Sequence, residues 1–259
     1  MVRTAGICLR YFPNFAKAYE YLAKVYLDLG RREDLEKVLA DAEKNGVKSP
    51  ILEAYAFQMD HEAIDIGTLN VRLKNFRDVF FKQVEKGDRS FYEKGLPILT
   101  EYLYYYPDDF MLVERAIFHR AAHHLEEART DFEKALYLNP VNPYALNGLS
   151  FVYKYQGDYE KALFFIKKAI LYMDQEMSPV IYADMGNLYA LLGICDKAVE
   201  AYRKYESLAG ENRSNWFGDN LAEFYLRMGQ IGEAEAIYGN YYKKNKWLRY
   251  EKLVDLYNA

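Results

Sequence analysis

Apolar residues return along this chain at helical intervals, and one small residue sits on each apolar face. In YADMGNLY the face is Tyr182, Met185, Gly186 and Tyr189. LNGLSFVY repeats it with Leu146, Leu149, Ser150 and Tyr153, GDNLAEFY with Gly218, Leu221, Ala222 and Tyr225, and YEYLAKVY with Tyr19, Leu22, Ala23 and Tyr26. Positions i, i+3, i+4 and i+7 share one side of a helix. The small residue predicts that a second helix approaches closely there. A second pattern follows the first. GDYEKALFFIKKAI, GICDKAVEAYRKYE and GQIGEAEAIYGNYY each place Gly, four residues, Ala, and then a large residue four further on.

The alanines of this second pattern, Ala128, Ala162, Ala198 and Ala234, succeed one another at intervals of 34, 36 and 36 residues. Upstream, Leu35, Ala63 and Gly95 are the equivalent anchors at shorter spacing, so the unit is worn there. Ser49-Pro50, Asn142-Pro143 and Ser178-Pro179 each pair an N-cap side chain with a proline suited to the first helical position. Gly157, Gly193 and Gly229 suit a left-handed stop between paired helices. The unit is therefore two antiparallel helices of about 12–15 residues joined by a tight turn. One such pair cannot bury its own apolar face, and stacking completes it.

The pattern resembles the tetratricopeptide repeat, in which W-x2-L-G-x2-Y is followed by A-x3-F and a closing proline. The resemblance covers nearly the whole chain, and YADMGNLY with AVEAY is its best copy. Departures are local. Gly218 stands where a bulky residue is expected, His119 replaces a tyrosine, and the closing proline survives at Pro13, Pro107 and Pro140. The resemblance implies an all-α fold, a right-handed α-solenoid or superhelix of stacked antiparallel helix pairs. One solenoid is expected over 1–259. Within it, 1–13 is a partial repeat holding only a second helix, 14–109 are degenerate repeats, 110–246 well-formed repeats, and 247–259 a capping helix. The half-repeat suggests a chain cut from a longer repeat protein, or a first helix that pairs with another chain. Helix registers within 47–90 are not fixed by the pattern.

Composition narrows the function. The chain has 259 residues with a formal charge of -4, which provides no general attraction to nucleic acid or membrane. No apolar run approaches the roughly 20 residues of a membrane span. MVRTAGICLRYFPNF lacks the apolar core of a signal peptide. Cys8 and Cys195 are too few for a disulfide framework, so reduced thiols and a cytoplasmic location are expected.

Candidate chemistry is sparse. His119 and His123 are four apart and could face one metal ion, with Glu126 or Glu127 as third ligand. But His119 occupies a core aromatic position and His123 a turn-glycine position, so a structural role is expected of both. Asp108-Asp109 and Glu126-Glu127 suit the positive ends of helices. YYKKNKWLRYEK interleaves Lys243, Lys244, Lys246 and Arg249 with Trp247 and Tyr250, a mixture that can hold single-stranded nucleic acid, but cations at a helix end followed by a cap explain it, and with a negative net charge no nucleic-acid partner is expected. No phosphate loop, nucleophile elbow or acid–base constellation is present. No enzyme, cofactor or metal site is expected.

The expected role is a scaffold that binds a protein or peptide in a concave groove. The alternative is an oligomerising or regulatory segment of a larger protein, including a homodimer through an exposed terminal repeat. The helix PYALNGLSFVYKYQG carries a second stripe beside its packing face: Tyr144, Asn147, Phe151, Lys154 and Tyr155. In the resembled family this stripe lines the groove. Its equivalents are Glu114, Ile117 and Arg120 before it, Asp184 and Asn187 after it, and then Trp216, Asp219, Asn220, Glu223 and Arg227. Aromatic anchors, amides and a slight acid excess suit a segment with one or two apolar side chains and some Lys or Arg. Some members of the family clamp a C-terminal carboxylate with cations on successive first helices. Asn147 and Asn187 match that arrangement, but Val180, Ala183 and Asp184 stand where cations would help, so no clamp is expected. Tyr104, Tyr105 and Tyr106 form the densest tyrosine run and cannot share one buried face.

Overall fold

A computed structural model describes residues 2–62, 64–84, 90–173, 179–209, 222, 224–226, 228–230 and 232–236. The elements are α1 Val2–Tyr11, α2 Ala16–Asp28, α3 Arg32–Lys44, α4 Pro50–Asp60, α5 Ile66–Val84, α6 Ser90–Tyr105, α7 Asp109–Ala121, α8 Leu125–Leu138, α9 Pro143–Tyr155, α10 Tyr159–Tyr172, α11 Val180–Leu191 and α12 Cys195–Ala209. The described secondary structure is helical, and helix pairs stack on one another as in an α-solenoid. The chain divides into two compact units, Met1–Val152 and Tyr153–Ala259.

The turns follow the residues that precede each second helix. Gly157, Gly193 and Gly229 have φ of 79°, 71° and 69°, the left-handed region that glycine enters without steric cost. His123 holds the same position with φ 65°. Its turn is closed like that of Gly193: His124 N–H donates to His119 O, as Ile194 N–H donates to Tyr189 O. The histidine therefore adopts a conformation its Cβ disfavours, because the hairpin requires it. At two helix starts the Ser-Pro and Asn-Pro signals act as caps. Ser49 Oγ accepts from the Ile51 and Leu52 amides, and Asn142 Oδ1 from those of Tyr144 and Ala145. Ser178 and Ala63 lie outside the described residues.

Within each unit, the core forms where small residues admit rings. Ala128, Ala162, Ala198 and Ala234 are fully buried, as is Leu35 at 1% exposure. In the second unit a Cβ on Gly186 of α11 would meet the Tyr202 ring of α12 at 2.5 Å. In the first unit Gly148 of α9 lies under the Phe132 ring of α8. Gly95 of α6 lies under Phe118 and Phe76, each far too close for any side chain. Gly148 is one position the repeat pattern did not single out.

Residues 47–106 are built differently. There α4 packs on α2 and on α6, while α5 packs on α6. The tyrosine run at the end of α6 holds α4 in place. Phe57 stacks on Tyr104 with ring centroids 4.1 Å apart, and Gln58 Nε2 donates to the Tyr104 and Tyr105 carbonyls. The Tyr105 and Tyr106 hydroxyls donate to the carbonyls of Glu62 and Ile64. These tyrosines thus anchor an irregular connection instead of sharing a core face.

Candidate functional site

In the first unit, α7 and α9 bring part of the expected stripe together. The Arg120 guanidinium lies over the Phe151 ring, 4.4 Å from its centroid. Around this pair, Ile117 is 36% and Tyr144 53% exposed. Asn147 is half-buried and its amide makes no hydrogen bond with a described residue. Gly148, on the same helix, lets α9 sit close against Phe132, and this fixes the face that the helix presents. Glu114 is committed elsewhere, because Arg77 of α5 grips its carboxylate with two nitrogens. At the end of α9, Lys154 is half-buried and Tyr155 exposed.

In the second unit, Asp184 and Asn187 are half-buried on α11. The Tyr202 hydroxyl donates to Asn187 Oδ1 at 2.7 Å. The ring that Gly186 admits therefore carries its polar end to this amide, leaving the NH2 as the group able to bond a ligand. Ala183 is fully buried and lines no surface, which removes it from the set compared with a carboxylate clamp. Trp216, Asp219, Asn220, Glu223 and Arg227 lie outside the described residues, as do the basic stretch at 241–252 and the capping helix at 247–259. Of the stripe residues described, two are carboxylates and two are cations, so the acid excess rests on positions 219 and 223.

The same spacing on α2 gives Lys17, Glu20 and Lys24, and here the central carboxylate is covered while both lysines stay exposed. Tyr137 of α8 donates its hydroxyl to Glu20 Oε1 at 2.5 Å, and its ring lies under Lys17 Nζ, 5.1 Å from the centroid. Ser49 Oγ donates to the same carboxylate at 2.7 Å and Lys17 to its other oxygen at 2.8 Å. Lys134 of α8 also pairs with Glu53 of α4. Burial pushes the Glu20 carboxyl up. The hydrogen bonds from Lys17, Tyr137 and Ser49 outweigh it and hold the group below its ordinary value. The Tyr137 phenol is pushed up to about 12 by burial and by its bond to Glu20. A strictly linear stack contacts only its neighbours. In this unit a side chain of a late helix instead reaches the stripe of an early one and covers its carboxylate.

A second buried polar cluster joins α6, α7 and α8. Arg115 grips Asp131 with two nitrogens at 2.7 and 2.6 Å and donates to Thr100 Oγ1 at 3.0 Å. His119 Nε2 stands 3.9 Å from Asp131. Burial lowers the His119 pKa, and Arg115 adds to this against the opposing pull of Asp131, so the ring is neutral at pH 7. His123 is exposed in its turn. Among the described residues no group of three or more His, Cys, Asp or Glu side chains could hold a metal ion, and no helix is long and apolar enough to cross a membrane. Cys8 and Cys195 are free and half-buried.

Comparisons with known proteins agree with this architecture. The tetratricopeptide repeat family model matches residues 132–164, the segment from Phe132 of α8 into α10. The match covers one repeat-length segment of a chain built of stacked helix pairs. Among solved structures it is similar to MamA of Desulfovibrio magneticus RS-1, at 20% identity and a TM-score of 0.52 over 65% of this chain and 92% of that one. It is also similar to TTC0263, a thermophilic TPR protein of Thermus thermophilus, at 22% identity and TM-score 0.54 over 72% and 97%. A chain of the APC/C hetero-tetramer Cut9-Hcn1 matches 97% of this chain with 44% of its own length, at 13% identity and TM-score 0.58. These likenesses establish the fold. No curated protein matches the chain in sequence.

Proposed function

We propose that this protein is a non-enzymatic scaffold that captures an extended segment of a partner protein on the stripe of α7 and α9. One observation carries the reading: Ile117 and Tyr144 are exposed beside Phe151, whose ring is covered by the Arg120 guanidinium. Exposed aromatic and aliphatic groups beside a cation and an uncommitted amide can take one or two apolar side chains and bond a peptide backbone. The half-buried free thiols fit a reducing compartment. The stripe continues in sequence through Asp184 and Asn187 to positions 216–227, whose acids would favour Lys or Arg in the partner.

Selection of displayed random peptides on the full chain tests the reading. Recovered peptides share an apolar anchor and bind about tenfold more weakly to a Phe151→Ala, Tyr144→Ala variant that keeps its helical circular dichroism. Peptides that bind this variant as well as the parent would overturn it.

A second reading, self-association through α1, is favoured by the exposure of Ile7, Tyr11, Phe12 and Phe15. Light scattering decides it. A dimer that Tyr11→Ser, Phe12→Ser converts to monomer supports it, and a monomer at high concentration rules it out.

A further inference from the structure

The second unit carries a basic groove distinct from the α7/α9 stripe. Its lining comes from α11 and α12, and Lys167 reaches its edge from α10. Tyr182, Met185 and Tyr189 line an open cleft of about 570 Å³ together with Lys197, Glu200, Arg203 and Lys204. The cations gather at two poles. Lys167 of α10 and Lys197 of α12 both lie over the Tyr189 ring, 5.4 and 5.8 Å from its centroid. At the other pole Lys204 lies 6.0 Å from the Tyr182 centroid, with Arg203 beside it in sequence. All four cations are exposed, and none forms an ion pair with a described residue. Many other cations of the chain do, among them Lys17, Lys24, Lys134 and Lys161.

Geometry sets what could complete the groove. Tyr182 and Tyr189 are seven residues apart on one helix, as are Lys197 and Lys204 on the other, which separates the poles by roughly 10 Å. An extended chain advances about 3.3 Å per residue, so carboxylates at positions i and i+3 span that distance. Between the poles Glu200 repels a third acid, while Met185 offers an apolar floor. We propose that this groove docks an acidic protein segment of the pattern acid–neutral–neutral–acid, with an apolar side chain among the two neutral residues. Each carboxylate is held by cations already seated on a tyrosine ring, and the apolar residue covers Met185. Protein is favoured over nucleic acid because the cations form two poles around an acidic, apolar centre, whereas a nucleic-acid backbone presents charge at every step.

The test is a titration of the full chain with a fluorescein-labelled peptide containing Glu-Leu-Ala-Glu between Gly-Ser flanks, read by anisotropy. Saturable binding is expected. It should weaken about tenfold when both glutamates become glutamine, and about tenfold in a Lys197→Glu, Lys204→Glu variant with unchanged circular dichroism. Raising salt from about 0.05 to about 0.5 M should weaken it further. The Phe151→Ala, Tyr144→Ala variant should bind this peptide like the parent, which separates the groove from the α7/α9 stripe. Absence of saturable binding, or equal affinity for the glutamine peptide or the charge-reversed variant, overturns the proposal. So does a single-stranded oligonucleotide that binds more tightly than the peptide with the same dependence on Lys197 and Lys204.

Discussion

Two stripes at equivalent positions on first helices have different occupants. On α2, Glu20 is buried among Ser49, Lys17 and the Tyr137 phenol of α8. Across α7 and α9 the stripe stays exposed at Ile117 and Tyr144. The first is polar, and its one carboxylate is fully engaged by the chain itself. The second keeps apolar surface and an amide uncommitted. A buried carboxylate with three donors is a folding contact, because removing any partner leaves a charge without compensation. Exposed aromatics beside a cation are surface that another chain can still cover.

The largest effect should come from the contact that seats the open stripe. Gly148→Val drives two methyls into the Phe132 ring and should destabilise by about 3 kcal/mol or more, read by urea unfolding. A parent-like midpoint would mean that α9 does not rest on α8 as described. Next, Glu20→Ala leaves Tyr137, Ser49 and Lys17 without their acceptor and should cost about 2–3 kcal/mol. Ile117→Ala on the open stripe should cost within about 0.5 kcal/mol. Equal losses at the two positions would erase the distinction between the covered carboxylate of α2 and the open stripe of α7 and α9.

Acid should act in two stages. The His119 pKa is lowered in the fold, so the unfolded chain takes up a proton first, and stability begins to fall as pH drops below the ordinary value of 6.5. The Glu20 pKa is also lowered, so its contribution is present above 4.5 and is lost as pH falls further. Unfolding midpoints measured across pH for His119→Gln should lack the upper stage, and those for Glu20→Gln the lower. One effect is a gain: His123→Gly removes a left-handed histidine and should stabilise by about 1 kcal/mol. Thermal unfolding checks it.

Much of the fold is legible because its contacts are local. The buried anchors Ala128, Ala162 and Ala198, the caps at Ser49 and Asn142, and the left-handed turn at His123 all follow from residues within one helix pair. The contact of Tyr137 with Glu20 joins residues 117 apart, and although Glu20 lies on the stripe spacing, nothing in that spacing points to Tyr137. The tyrosine run was conspicuous, but its docking onto Phe57 and Gln58 depends on how α4 leaves the stack. The stripe residues could be named from spacing. That Asn187 shares its amide with Tyr202, and Glu114 its carboxylate with Arg77, depends on side-chain reach across helices, which spacing does not encode.

The most direct measurement is a crystal structure of the full chain with a peptide recovered by selection. The account predicts the peptide backbone beside Asn147 and an apolar side chain against Ile117, Tyr144 and Phe151, with α8 still seated on Glu20. Density for the peptide in place of Tyr137 on α2, or on a surface formed by second helices, would contradict it.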